Sequence, residues 1–176
     1  KFVLAKSSLA LLLLSFFMLK AAAQPYINGN LTTGPTSSNG TAAPAGFNWS
    51  EVQTGNGTAG LGGNIAAGFG LADNFVVTAG QTWNVTKFTF YGYSTNFAGA
   101  VSPFTDVRVR IFNTNPSVGN PAPIFGDLTT NRFLASSTAS MYRIFNATPG
   151  TTRQIWKVEA TVNTTLAAGS YWVEFQ

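Results

Sequence analysis

Beyond residue 23 the chain carries six carboxylates, Glu51, Asp73, Asp106, Asp127, Glu159 and Glu174, which are its main candidates for acid–base chemistry. Glycoside hydrolysis needs two carboxyl groups about 5 to 9.5 Å apart, a separation that spacing along the chain does not fix. Asp106, Glu159 and Glu174 alternate with apolar residues, as the solvated face of a sheet would. Asp127, in GDLTTNR with Thr129, Thr130 and Asn131, offers oxygens to a calcium ion, which takes about six to eight of them. The same residues also suit a turn in which the carboxylate accepts backbone N–H bonds. Arg108 and Arg110, with Lys87, form a candidate basic patch for a ligand, or ordinary surface balanced by the six acids. Tyr91 is the candidate stacking ring for a sugar, because it alternates with Lys87 and Thr89 rather than with Phe88 and Phe90. Trp156 falls on an apolar face and is expected in the core.

Absence narrows the chemistry further. With no His and no Cys, the chain has no Ser/His/Asp triad, histidine metal ligand, thiolate nucleophile or disulfide. The glycine-rich run GNGTAGLGG at 55–63 lacks the Gly-Lys-Ser/Thr ending of a phosphate loop. No cofactor is expected, with calcium at Asp127 the one candidate.

The elements that must position these groups are short. From Leu71 onward, β-branched and aromatic runs alternate with turn residues at the spacing of an antiparallel sandwich. Strands are expected over 71–77, 83–93, 105–113, 141–145 and 154–163, and again in the SYWVEFQ run that ends at Gln176. In 105–113, Val107, Val109 and Ile111 face one way and Asp106, Arg108 and Arg110 the other. Residues 114–131, with Pro116, Pro121 and Pro123, read as one long loop. Residues 28–70 hold 11 of the 18 glycines and one charge, Glu51, and read as loop around a short strand at Phe47–Val52. The fold class is therefore all-β, an antiparallel β-sandwich of Greek-key or jelly-roll type.

Leu166, Gly169 and Tyr171 in LAAGSY have the spacing of a tyrosine corner, where a Tyr hydroxyl bonds back to upstream backbone. An ordinary hairpin turn with a core tyrosine has the same sequence. Because such a sandwich normally continues beyond this strand, the chain is expected to be truncated at its C-terminus.

Residues 1–23 have the three parts of a secretory signal: Lys1 and Lys6, the apolar LALLLLSFFML, and Ala21 to Ala23 before Gln24. The apolar run is short of the roughly 20 residues a membrane span needs. The chain begins with Lys1 rather than Met, so an initiator is expected upstream. Cleavage removes three of the ten cations and lowers the charge from +4 to +1, which withdraws the support for a nucleic-acid partner. The expected localisation is secreted or cell-surface, with no membrane association after cleavage. Three segments follow: a signal peptide at 1–23, a Gly/Asn/Thr-rich segment at 24–70 and the sandwich at 71–176. Seven Asn-X-Ser/Thr triplets are present, a number that chance supplies in a chain so rich in Asn and Thr.

Taken in order, LADNFVV, TKFTFYGY, VRVRIFN, GDLTTNRFLASS, TTRQIWKVEATVN and LAAGSYWVEF resemble a module of large exported proteins of Bacteroidota-type bacteria. The resemblance implies an extracellular β-sandwich, often upstream of a sorting domain for type IX secretion, and brings no catalytic residues with it. The functional expectation is a non-catalytic adhesion or surface-binding domain, with an extracellular glycan or surface protein as partner. The alternative is an accessory or catalytic part of a secreted glycan-degrading hydrolase.

Overall fold

The computed structural model describes residues 25–51 and 60–176. The expected signal helix at 1–23 lies outside the described residues. Eight strands are present among those described: β1 (Asn48–Ser50), β2 (Leu71–Val77), β3 (Trp83–Gly92), β4 (Val109–Phe112), β5 (Phe125–Asp127), β6 (Phe133–Arg143), β7 (Gln154–Leu166) and β8 (Gly169–Phe175). A 3-10 turn at Ile65–Ala67 is capped by Asn64, whose side chain accepts from the amides of Ala66 and Ala67.

The strands form two four-stranded sheets, ordered β1-β6-β7-β3 and β2-β8-β4-β5. All pairings are antiparallel except that of β1 with β6. The consecutive strands β7 and β8 each enter the middle of a different sheet, β7 between β6 and β3 and β8 between β2 and β4. Residues 167–168 therefore carry the chain from one sheet to the other, in the interleaved manner of a Greek-key sandwich. The final strand has a neighbour on each side.

Alternation decides which side chains enter the core. Val107, Val109 and Ile111 meet Trp156, Val158, Ala160 and Val162 from the opposite sheet, with Phe75, Val77, Leu166 and Val173 completing the cluster. Val109, Ile111 and Ala160 are fully buried. Rings bridge the layers: Phe90 on β3 stacks on Phe175 of β8 at 4.0 Å between centroids, and Phe75 lies 5.9 Å from Phe88. Trp49, Met141, Ile144 and Ile155 are buried outside this cluster, where β1 joins β6.

Three expectations change. Residues 114–131 are not one loop, because β5 forms within them and pairs with β4 through Gly126, whose φ of +79° suits glycine. β6 begins at Phe133, eight residues before the expected strand. Register shifts between Phe133 and Ala135 and between Thr138 and Met141 interrupt its two-residue period, so its alternation is not continuous in the sequence. The ladder of β4 is shorter than 105–113, although Arg108 and Gln176 still exchange both backbone hydrogen bonds at 3.0 Å.

Candidate functional site

Tyr91 stands on β3, the edge strand of its sheet, with its neighbours Phe90 and Gly92 on the other side of the pleat. It is 39% exposed. Its cross-strand partner is Lys157, followed along the same pair by Thr89 opposite Glu159 and Lys87 opposite Thr161. The inward side of β7 is apolar and buried, so the hydrophobic effect fixes these polar groups on the outer face.

Charge on this face is concentrated at Glu159. Its carboxylate accepts from Lys87 Nζ at 2.7 Å and from Lys157 Nζ at 2.9 Å. The lysine side chains are 48% and 40% exposed, whereas that of Glu159 is 14% exposed beneath them. The hydrogen bonds from Lys87 and then Lys157 hold the Glu159 carboxyl below the usual carboxylate range. The bond to Glu159 in turn raises Lys157.

Farther along the strand pair the register shifts between Val85 and Lys87, where β7 contributes an extra residue and Asn163 takes a left-handed conformation with φ 55°. A shallow, open depression of about 320 Å³ forms there, lined by Asn84, Val85, Thr86, Asn163, Thr164 and Thr165. Thr165 Oγ1 donates to Asn84 Oδ1 at 2.9 Å. The outer face thus joins one exposed ring, two ammoniums sharing one carboxylate, and a row of amides and hydroxyls.

Arg108 and Arg110 lie elsewhere. They occupy the outer face of the other sheet, so the structure does not bring them together with Tyr91 or Lys87. Each is already engaged: Arg108 donates to Asp106 at 3.1 Å and to the Leu128 carbonyl at 2.6 Å. Arg110 places Nε and Nη2 on one oxygen of Glu174 at 2.8 and 2.6 Å. The basic patch resolves into two ion pairs. Trp172 shares that outer face, since Tyr171, Val173 and Phe175 turn into the core, and it sits between Asn74 and Phe112 in register. The sequence reading did not single it out, although the alternation within SYWVEFQ carries the signal.

Asp127 closes a turn. Its Oδ1 accepts from the Thr129 amide, Thr129 Oγ1 and the Thr130 amide at 2.8, 2.7 and 2.6 Å, while Oδ2 accepts from Thr130 Oγ1 at 2.9 Å. These bonds, led by that from the Thr129 hydroxyl, push its carboxyl far below the ordinary range. Both threonine hydroxyls donate to the carboxylate. Asn131 is occupied as well, accepting from the amides of Val107 and Phe133 and donating to Thr105. Among the described residues no group of three or more acidic side chains stands ready for a metal ion.

At the crossing between sheets, Tyr171 donates its hydroxyl to the Ala167 carbonyl at 3.0 Å, four residues upstream, and Leu166 is 3% exposed. Gly169 acts differently from the expected tight-turn role: its φ is not positive, and an added Cβ would meet the Tyr171 ring at ordinary contact distance, 3.5 Å.

The remaining carboxylates are also partnered. Asp73 accepts from Asn28 at 2.6 Å, and Glu51 from Ser38 Oγ at 2.7 Å, the contact that chiefly lowers the Glu51 carboxyl. Glu51, Asp127 and Glu159 are thus shifted down, opposite to the upward shift a general acid requires. Compared with known proteins, the chain matches no family model, no curated protein and no solved structure.

Proposed function

We propose that this chain is a non-catalytic binding module of an exported protein, and that it holds an extracellular glycan on the outer face of the β3–β7 pair. The observation that carries this reading is Tyr91, an exposed ring on a hydrogen-bonded strand, continuous with a strip of amides, hydroxyls and paired charges. A flat ring stacks on the C–H face of a pyranose, while amides and hydroxyls exchange directional hydrogen bonds with its hydroxyls. From Asn84 to Tyr91 the strip runs about 23 Å at roughly 3.3 Å per residue, long enough for several sugar units in a row. The lowered carboxyls of Glu51, Asp127 and Glu159 do not suit the general-acid role of a glycosidase.

The test is retention of the purified protein on insoluble polysaccharides and on a glycan array. Retention that falls about three- to tenfold in Tyr91→Ala, the range expected for one aromatic contact, supports the reading. An absence of retention across the panel, or a Tyr91→Ala variant that binds as well as the parent, overturns it. Export is tested separately by sequencing the N-terminus of secreted protein, which is expected to start at Gln24.

A further inference from the structure

We infer that the ligand of this face is an acidic polysaccharide, one whose sugar rings carry carboxylates, rather than a neutral glycan. The inference rests on the glycan-binding reading and specifies its substrate class. β3 and β7 together carry three charged side chains, Lys87, Lys157 and Glu159, so this face holds two cations against one anion. The single carboxylate lies beneath both ammoniums at 2.7 and 2.9 Å, leaving one positive charge uncompensated. Each ammonium has three donors, of which one is drawn inward by Glu159, and the lysine side chains remain 48% and 40% exposed.

Position makes this charge selective. Lys157 is the residue directly opposite Tyr91 in the antiparallel register, and such pairs hold their Cβ atoms about 4.5 to 5.5 Å apart. A pyranose stacked on Tyr91 therefore presents a ring carboxylate within reach of the Lys157 ammonium. The site already shows the favoured pairing in miniature, because the Glu159 carboxylate occupies this geometry between the same two lysines. An incoming uronate repeats it from the solvent side. A neutral sugar leaves the excess charge unanswered.

Polygalacturonate and its fully methyl-esterified form share one backbone and differ in charge, so affinity electrophoresis of the purified protein through each polymer isolates the carboxylate. The expected result is at least about fivefold tighter binding to polygalacturonate at low salt, with the advantage shrinking as sodium chloride is raised past about 0.1 M, where the Debye length is near 10 Å. Lys157→Met is expected to remove most of that advantage, lowering binding to polygalacturonate several-fold more than binding to the ester. Glu159→Gln is expected to increase it, because the competing internal carboxylate is gone. Far-UV circular dichroism confirms that both variants retain the sheet signal.

Equal binding to the two polymers, or an advantage that neither variant moves, overturns the acidic-ligand inference. If that occurs while Tyr91→Ala still lowers retention, the glycan face stands and only its charge preference falls. If neither polymer nor any other glycan is retained, the glycan face itself falls, and this inference with it.

Discussion

Tyr171, Gly169 and Gly126 show how the work of single residues follows from local geometry. The Tyr171 hydroxyl bond to Ala167 spans the crossing between sheets, and a net intramolecular hydrogen bond is worth about 0.5 to 1.5 kcal/mol. Tyr171→Phe is therefore expected to lower the urea midpoint by about 1 kcal/mol of stability, and an unchanged midpoint would show that the bond contributes nothing. Gly169→Ala is expected to be tolerated, since its backbone is ordinary and the added methyl meets only the Tyr171 ring at van der Waals distance. Gly126→Ala is the contrasting case: its φ is positive and a Cβ would collide with the Val109 carbonyl oxygen of the neighbouring strand. A loss of more than about 2 kcal/mol in the same urea assay is expected, from backbone strain and the broken ladder together. The LAAGSY spacing pointed to the residues of the crossing, but the same letters do not distinguish a glycine needed for φ from one that packs under a ring.

At the scale of the element, acid sensitivity is written into two turns and one strand pair. Asp127 in the β5–β6 turn, Glu159 on β7 and Glu51 after β1 all have carboxyls lowered in the folded state by hydrogen bonds, with the lysines adding to the effect at Glu159. A group lowered on folding contributes stability above its unfolded pKa, near 4, and that contribution is lost as pH falls through the folded value. The urea midpoint is expected to be flat from about pH 8 to 5 and to decline below about pH 4. Asp127→Asn is expected to flatten that decline, and an unaltered acid limb in the variant would remove Asp127 as its source. The strands themselves were legible to different degrees. β3 and β7 follow their apolar alternation closely, because each keeps one face on the core for most of its length. β6 did not, because its extra residues at Leu134 and around Ser140 reset the alternation, and Ser140 adopts φ 51° in the process.

At the scale of the whole molecule, β1, which precedes residue 71, pairs with the sheet that holds β6. β1 joins the sheet edge beside β6, Trp49 is 3% exposed, and its indole N–H donates to the Thr41 carbonyl at 3.0 Å. Ser50 accepts from Arg143 Nη1 at 2.9 Å. Trp49→Ala is expected to cost about 3 to 5 kcal/mol by chemical denaturation, and a cost below about 1 kcal/mol would reduce β1 to a surface strap. Composition, spacing and alternation by themselves determined the all-β class, the inward set of residues along most strands, the lack of histidine and thiol chemistry, and the outward position of Tyr91. These are local properties, fixed by a two-residue period and by side-chain type. Only the tertiary structure decided which strands became neighbours. It separated Arg108 and Arg110 from Lys87 by a whole sheet and neutralised each with an acid distant or near in sequence, Glu174 or Asp106. It also set Lys87 and Lys157 around one carboxylate beside Tyr91. Pairing across strands depends on long-range packing and bulges, and a one-residue shift of register moves every side chain to the opposite face.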